Sequence, residues 1–232
     1  MLKSNLFRVI ACVTASLFCF QVSDASIVDL TFDSSMSSAD LSINNSGFET
    51  SSVSGTGSID VASLTAPFGT AQITALDISL DDALSFSFAA GLVTVNTQPG
   101  DVTISLVTPG AAGVVTNGLF DQLGNQLQLG GTIAVSDPLN LLGGSQTLDL
   151  SSQAPTVTDF LDFEISRTGD IKTVSGTFSI TDSIEVAPGT FIPLAANGSF
   201  LASGVVTAVP EPGSLAVLGL LSGLFVIRRQ RS

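Results

Sequence analysis

Phe178-Ser179-Ile180-Thr181-Asp182-Ser183-Ile184-Glu185-Val186-Ala187-Pro188-Gly189-Thr190-Phe191 is the stretch that decides the fold. Phe178, Ile180, Ile184 and Val186 share one parity, Ser179, Thr181, Ser183 and Glu185 take the other, and Asp182 interrupts the apolar set. Successive side chains of an extended chain point to opposite faces, so the alternation predicts a strand with one buried face. It runs into Pro188-Gly189. Proline presets φ for the first corner of a turn, and glycine accepts the positive φ of the second. Residues 186–191 are therefore predicted to turn a β-hairpin.

Outward from that hairpin the same period recurs. Leu84-Ser85-Phe86-Ser87-Phe88, Val102-Thr103-Ile104-Ser105-Leu106 and Leu161-Asp162-Phe163-Glu164-Ile165 all alternate. Pro99-Gly100, Pro109-Gly110, Asn117-Gly118 and Asn197-Gly198 read as further turns between strands. No sustained helical stripe is visible, and Leu139 to Leu142 is expected to make at most one turn of helix. Ser34 to Ser58, rich in serine, glycine and asparagine, reads as a loose loop or edge region. Gly55-Thr56-Gly57-Ser58-Ile59, Gly176-Thr177-Phe178-Ser179-Ile180 and Gly198-Ser199-Phe200-Leu201 look alike but are irregularly spaced, so they read as strands of one meander and not as a repeat array. The expected fold class is all-β, an antiparallel β-sandwich or barrel, followed by a single C-terminal transmembrane helix.

Composition narrows the chemistry. Residues 26–209 hold 18 acidic side chains against two basic ones, Arg167 and Lys172, a net charge of −16. Such a surface repels nucleic acid and anionic headgroups and attracts cations. The charges are scattered singly among abundant apolar residues, which marks a folded domain and not a disordered acidic tail. Both cysteines, Cys12 and Cys19, precede this body, and the chain has no histidine, tryptophan or tyrosine. The body therefore lacks an imidazole base, a Ser-His-Asp site, the usual zinc ligands and a thiol nucleophile. It also lacks the Trp and Tyr faces on which sugar rings stack at wet surfaces. A hydrolase would have to use a carboxylate pair in a cleft. The expectation is a protein that is not an enzyme.

The two ends read as addresses. Lys3 and Arg8 flank the start of an apolar run from Val9 to Phe20, and Ser23 and Ala25 put small residues ahead of a cut before Ser26. Residues 1–25 thus have the form of a signal peptide for the Sec translocon and signal peptidase. At the other end Pro210-Glu211-Pro212 precedes an uncharged apolar run, 214–227, and then Arg228-Arg229-Gln230-Arg231-Ser232. As a helix at about 1.5 Å per residue that run covers roughly 21 Å, short of a hydrocarbon core of roughly 30 Å. A short span suits a temporary stop-transfer element, with Arg228, Arg229 and Arg231 held at the cytoplasmic headgroups. The chain divides accordingly into residues 1–25, a β-rich extracellular domain over 26–206, and a terminal segment over 207–232.

Tripeptide, apolar helix and basic cluster in this order resemble the PEP-CTERM sorting signal of exported bacterial surface proteins, carried here by Pro210, Glu211 and Pro212 and by Arg228, Arg229 and Arg231 within residues 210–232. The resemblance implies cleavage near the tripeptide by exosortase, a transient stay in the inner membrane, and delivery of the body to the cell envelope or the extracellular polysaccharide matrix. For the body itself the expected role is a surface scaffold without catalysis. The alternative is a β-barrel binding module for an apolar ligand or a divalent cation. Asp159, Asp162, Glu164 and Asp170 are the candidate calcium ligands, since calcium takes 6–8 oxygens and Asp162 and Glu164 share a parity. The plainer reading makes them a solvated face with Arg167 and Lys172 as neighbours. Asp77, Asp81 and Asp82 read as part of a polar turn, and no other cofactor is expected.

Overall fold

A computed structural model describes residues 26–206 apart from 65 and 142. Thirteen strands form there: β1 (Ser26–Phe32), β2 (Ser38–Ile43), β3 (Glu49–Val61), β4 (Thr70–Leu80), β5 (Ser85–Phe88), β6 (Val93–Asn96), β7 (Val102–Thr108), β8 (Gly113–Val114), β9 (Leu119–Ser136), β10 (Gln146–Asp149), β11 (Thr156–Thr168), β12 (Ile171–Ala187) and β13 (Thr190–Val205). Every ladder between them is antiparallel. The ladders also close on themselves. In sequence around the ring, β2 pairs β3, then β4, β7, β9, β11, β12 and β13 follow, and β13 returns to β2. β1 continues the position of β2, pairing Ser26–Thr31 with Val61–Thr56 of β3 and Phe32 with Ala202 of β13. Of the two architectures the sequence allows, the hydrogen bonds trace the barrel. Closure matters because an unpaired strand edge is a template for aggregation.

The decisive hairpin lies where the sequence puts it. Ala187 pairs Thr190 across Pro188-Gly189, and Phe178, Ile180, Ile184 and Val186 are all buried. Glu185 accepts the Gly189 N–H at 2.7 Å, and the interrupting Asp182 accepts the Thr156 hydroxyl at 3.1 Å. Asn117-Gly118 also turns as expected, with reciprocal hydrogen bonds between Thr116 and Leu119.

Other expectations need correction. Asn197-Gly198 lies inside β13 and is no turn. There Gly198 pairs Phe178, and Gly176 pairs Phe200, so the similar Gly-x-Phe segments of β12 and β13 each place a phenylalanine opposite the other strand's glycine. The ring of Phe178 fills the space a Cβ on Gly198 would need. Ser34 to Ser58 is mostly strand, because Ala39, Leu41, Ile43 and Val53 face the core while Ser38, Asp40, Ser52 and Ser54 take the other parity. Leu139 and Leu141 are exposed outside any helix, Leu142 falls outside the described residues, and a short 3-10 turn occurs instead at Leu150–Ser152. In β11 the alternation slips. Both Phe160 and Phe163 are buried, Leu161 is exposed, and the register against β9 shifts twice, so a bulge at Asp162 (φ 54°) reverses the parity. Among the described residues no helix is long and apolar enough to cross a membrane, and the expected span over 214–227 lies outside them.

Within an interior made mostly of isoleucine, leucine and valine, phenylalanines form one connected cluster. Phe163 has ring centroids of Phe160, Phe200 and Phe120 at 4.9, 5.3 and 5.8 Å, and Phe32 lies 5.0 Å from Phe200. One gap in the backbone ladder is closed by a side chain. Between its pairings with β7 and β8, β4 finds Gln122 of β9, which accepts the Ile73 N–H at 2.6 Å and donates to the Ile73 carbonyl at 3.0 Å. Asn125 completes this buried cluster by accepting from Gln122 at 2.7 Å and from the Gly110 N–H at 2.9 Å. A buried amide satisfied in this way stabilises, whereas a lone one costs.

β9 serves two sheets. Its end, Thr132–Val135, pairs Asp149–Gln146 of β10, and the same end pairs β6, with β5 beyond. Gly131, at φ 90°, marks the change, and a Cβ there would land on the Asp101 carbonyl, which already accepts the Thr132 N–H. Gly100 has a similar φ of 80° but open space around it. Gly100→Ala should therefore lose only the positive-φ penalty of about 1–2 kcal/mol, and Gly131→Ala at least about 3 kcal/mol because backbone must also move. Urea melts of the two variants check this, and equal losses would contradict the close approach at Gly131.

Candidate functional site

The candidate calcium ligands do not converge. Asp159 accepts the Gly124 N–H at 2.8 Å, and the Asp162 N–H donates to Asp121 at 2.8 Å. Glu164 is exposed opposite Ser175, and Asp170 sits in the β11–β12 turn, 3.8 Å from Arg167. Among the described residues no three acidic groups are placed to hold a metal ion. The Asp81 and Asp82 turn is pinned to β3. Asp82 accepts the Ser52 N–H at 2.8 Å and its hydroxyl at 2.9 Å, and these bonds hold its carboxyl below the usual range; Asp81 accepts from Ser54 at 2.6 Å.

Arg167 and Lys172 are not on the solvated face. They pair in register across the β11–β12 hairpin and both turn inward, Arg167 below Phe163 and Ile165, Lys172 before Val174. Their parity carried this signal, since Lys172 is in step with Phe178 and Ile180, but lone charges among acids invite a surface reading. Arg167 donates from Nε to the Gly169 carbonyl and from Nη1 to the Leu64 carbonyl, both at 2.7 Å. It thereby ties the β3–β4 loop to the hairpin. The Lys172 side chain is fully buried, its Nζ has no hydrogen-bond partner among the described residues, and it lies 5.0 Å from the centroid of the Phe68 ring. Burial, with the Arg167 charge adding to it, pushes the Lys172 ammonium down to about 8. Beside this pair opens a cleft of about 860 Å³, walled by Pro67, Phe68, Val115, Ile165, Asn117 and Arg167.

β13 ends at the same pole, where the Val206 N–H donates to the Asp170 carbonyl at 2.8 Å. Pro210, Glu211, Pro212, Arg228, Arg229 and Arg231, like Ser23 and Ala25, lie outside the described residues. A family model described as the PEP-CTERM protein-sorting motif matches residues 208–231. The chain carries a PEP-CTERM sorting motif. The motif marks an exported protein processed by exosortase. No curated protein matches the chain.

Lys172, which pairs Gly204 near the end of β13, has a measurable signature. Its folded pKa of about 8 lies below the ordinary 10.5. Between these values the unfolded chain binds the proton that the folded chain has released, so raising the pH favours folding. Stability should rise across that window and stay flat below it. Lys172→Met should be more stable than the parent at pH 7 by about 1–2 kcal/mol, less than the full shift because the surroundings relax, and the gap should narrow by pH 11. Thermal melts against pH check the sign. A parent that loses stability relative to Lys172→Met between pH 8 and 10.5 would contradict it.

Proposed function

We propose that residues 26–206 form a non-catalytic surface scaffold that exosortase delivers to the cell envelope or the extracellular polysaccharide matrix. The observation that carries this reading is the sorting motif itself, matched two residues beyond the buried Val206 that ends the barrel. The packed apolar interior, with its phenylalanine cluster, supports a scaffold over a barrel holding an apolar ligand inside the ring. The body's acidic surface supports solubility outside the cell and repulsion from anionic lipid. In this reading the Sec translocon and signal peptidase act first, the apolar run 214–227 holds the chain in the inner membrane, and cleavage near Pro210-Glu211-Pro212 frees the body.

Replacing Pro210, Glu211 and Pro212 together by alanine tests the sorting step. Export should proceed, and unprocessed chain should accumulate in the inner-membrane fraction at its full mass after signal cleavage. A variant that leaves the cell with the mass of the wild-type product would overturn recognition at these residues. A processed wild-type body recovered only in the periplasm, with none in the envelope or matrix fractions, would overturn the proposed destination.

A further inference from the structure

The geometry points to a carboxylate-binding site at the basic pole of the barrel, in the cleft between the β3–β4 loop, the segment around Val115–Gly118 and the β11–β12 hairpin, taking an organic carboxylate with a compact apolar body. This inference stands apart from the sorting reading. Three observations meet there.

First, the only two cations of residues 26–206 are brought side by side by the register of one hairpin, in a body that carries 18 acids. Opposite charge would be easy to supply from such a sequence, yet the buried Lys172 Nζ has no hydrogen-bond partner among the described residues. A buried unpaired ammonium is costly, and a lone structural lysine at this position would be outcompeted in stability by methionine. Its retention here fits a partner that arrives from outside.

Second, Arg167 presents an unspent donor. Nε and Nη1 are occupied by backbone carbonyls, while among the described residues Nη2 has the 3.8 Å contact with Asp170, whose side chain is 84 % exposed. A guanidinium held rigidly from two sides meets a carboxylate with little loss of side-chain freedom. Third, the cleft is amphipathic in the required sense. Pro67, Phe68, Val115 and Ile165 offer apolar walls, and Asn117 and Arg167 offer polar groups.

Phe68 connects the two cations to the cleft. Its ring lines the cleft and also carries the Lys172 ammonium, so it stands in for a counter-ion while the site is empty. A ligand carboxylate binds Arg167 Nη2, and a swing of Phe68 lets the second oxygen reach Lys172. The depressed ammonium supports this, because a bound anion would restore its ordinary proton affinity.

The test uses the full chain with benzoate and its neutral isostere benzamide. Benzoate should bind at one site per chain, at least about ten-fold more tightly than benzamide, and Lys172→Met should weaken benzoate at least about ten-fold while leaving benzamide unchanged. Because Lys172→Met is expected to be the more stable protein, loss of binding cannot be ascribed to unfolding. Lysine labelled with carbon-13 at Cε reports independently, since the chain has only Lys3 and Lys172 and the variant assigns them. Saturating benzoate should move the Lys172 titration upward. Equal affinity for benzoate and benzamide, undiminished binding by Lys172→Met, or a Lys172 titration unmoved by millimolar benzoate would each overturn the site.

Discussion

The ladder between the last strand and the first two closes the molecule. Leu194–Ser199 of β13 pairs Ile43–Ser38 of β2, and Ala202 and Ser203 reach Phe32 and Thr31 of β1. Everything else in the ring can be built by strands meeting near neighbours in sequence. This ladder cannot form until the whole body is present. Its position also ties the fold to sorting, because β13 ends within a few residues of the start of the motif at 208.

With no cysteine among the described residues, no disulfide braces the ring, and its stability rests on packing, backbone pairing and side-chain hydrogen bonds. Close approach is therefore managed by glycine and phenylalanine. Phe163 lies over Gly176, Phe178 over Gly198, and the Phe163 ring meets three other phenylalanines. Where a strand partner is missing, the Gln122 amide serves as a piece of backbone for Ile73. Such an arrangement tolerates a polar, serine-rich exterior because the outer positions carry little of the packing. β12 shows this with Thr173, Ser175, Thr177, Ser179, Thr181 and Ser183 on its outer parity.

How much of this was legible follows from particular residues. The hairpin at Pro188-Gly189 was readable because alternation and turn chemistry agree over one continuous stretch. Asn197-Gly198 misled because the same dipeptide serves a turn or the face of an aromatic ring, and only the register with Phe178 decides. The parity slip at Asp162 was hidden because a bulge leaves no mark in composition, and it exposed Leu161 in place of Phe160. Ser34 to Ser58 looked loose because half-buried strands need few apolar residues when glycine lets another strand come close. The candidate calcium group failed to assemble because shared parity does not give convergence. Ring closure was out of reach for local patterns, being a pairing between strands more than 150 residues apart. The tail was legible because its message is written in order and not in three dimensions.

Closure makes the barrel, the motif marks it for sorting, and the β11–β12 hairpin gathers Arg167 and Lys172 at one pole of an otherwise acidic body. The central claim is the closed ring, and hydrogen exchange at β2 tests it most directly. β2 lies between β3 and β13, so the amides of Ser38–Ile43 should exchange as slowly as those of Gly176–Ile180 in β12. Fast exchange throughout β2 while the β12–β13 hairpin stays protected would mean an open sheet and would contradict the closed barrel.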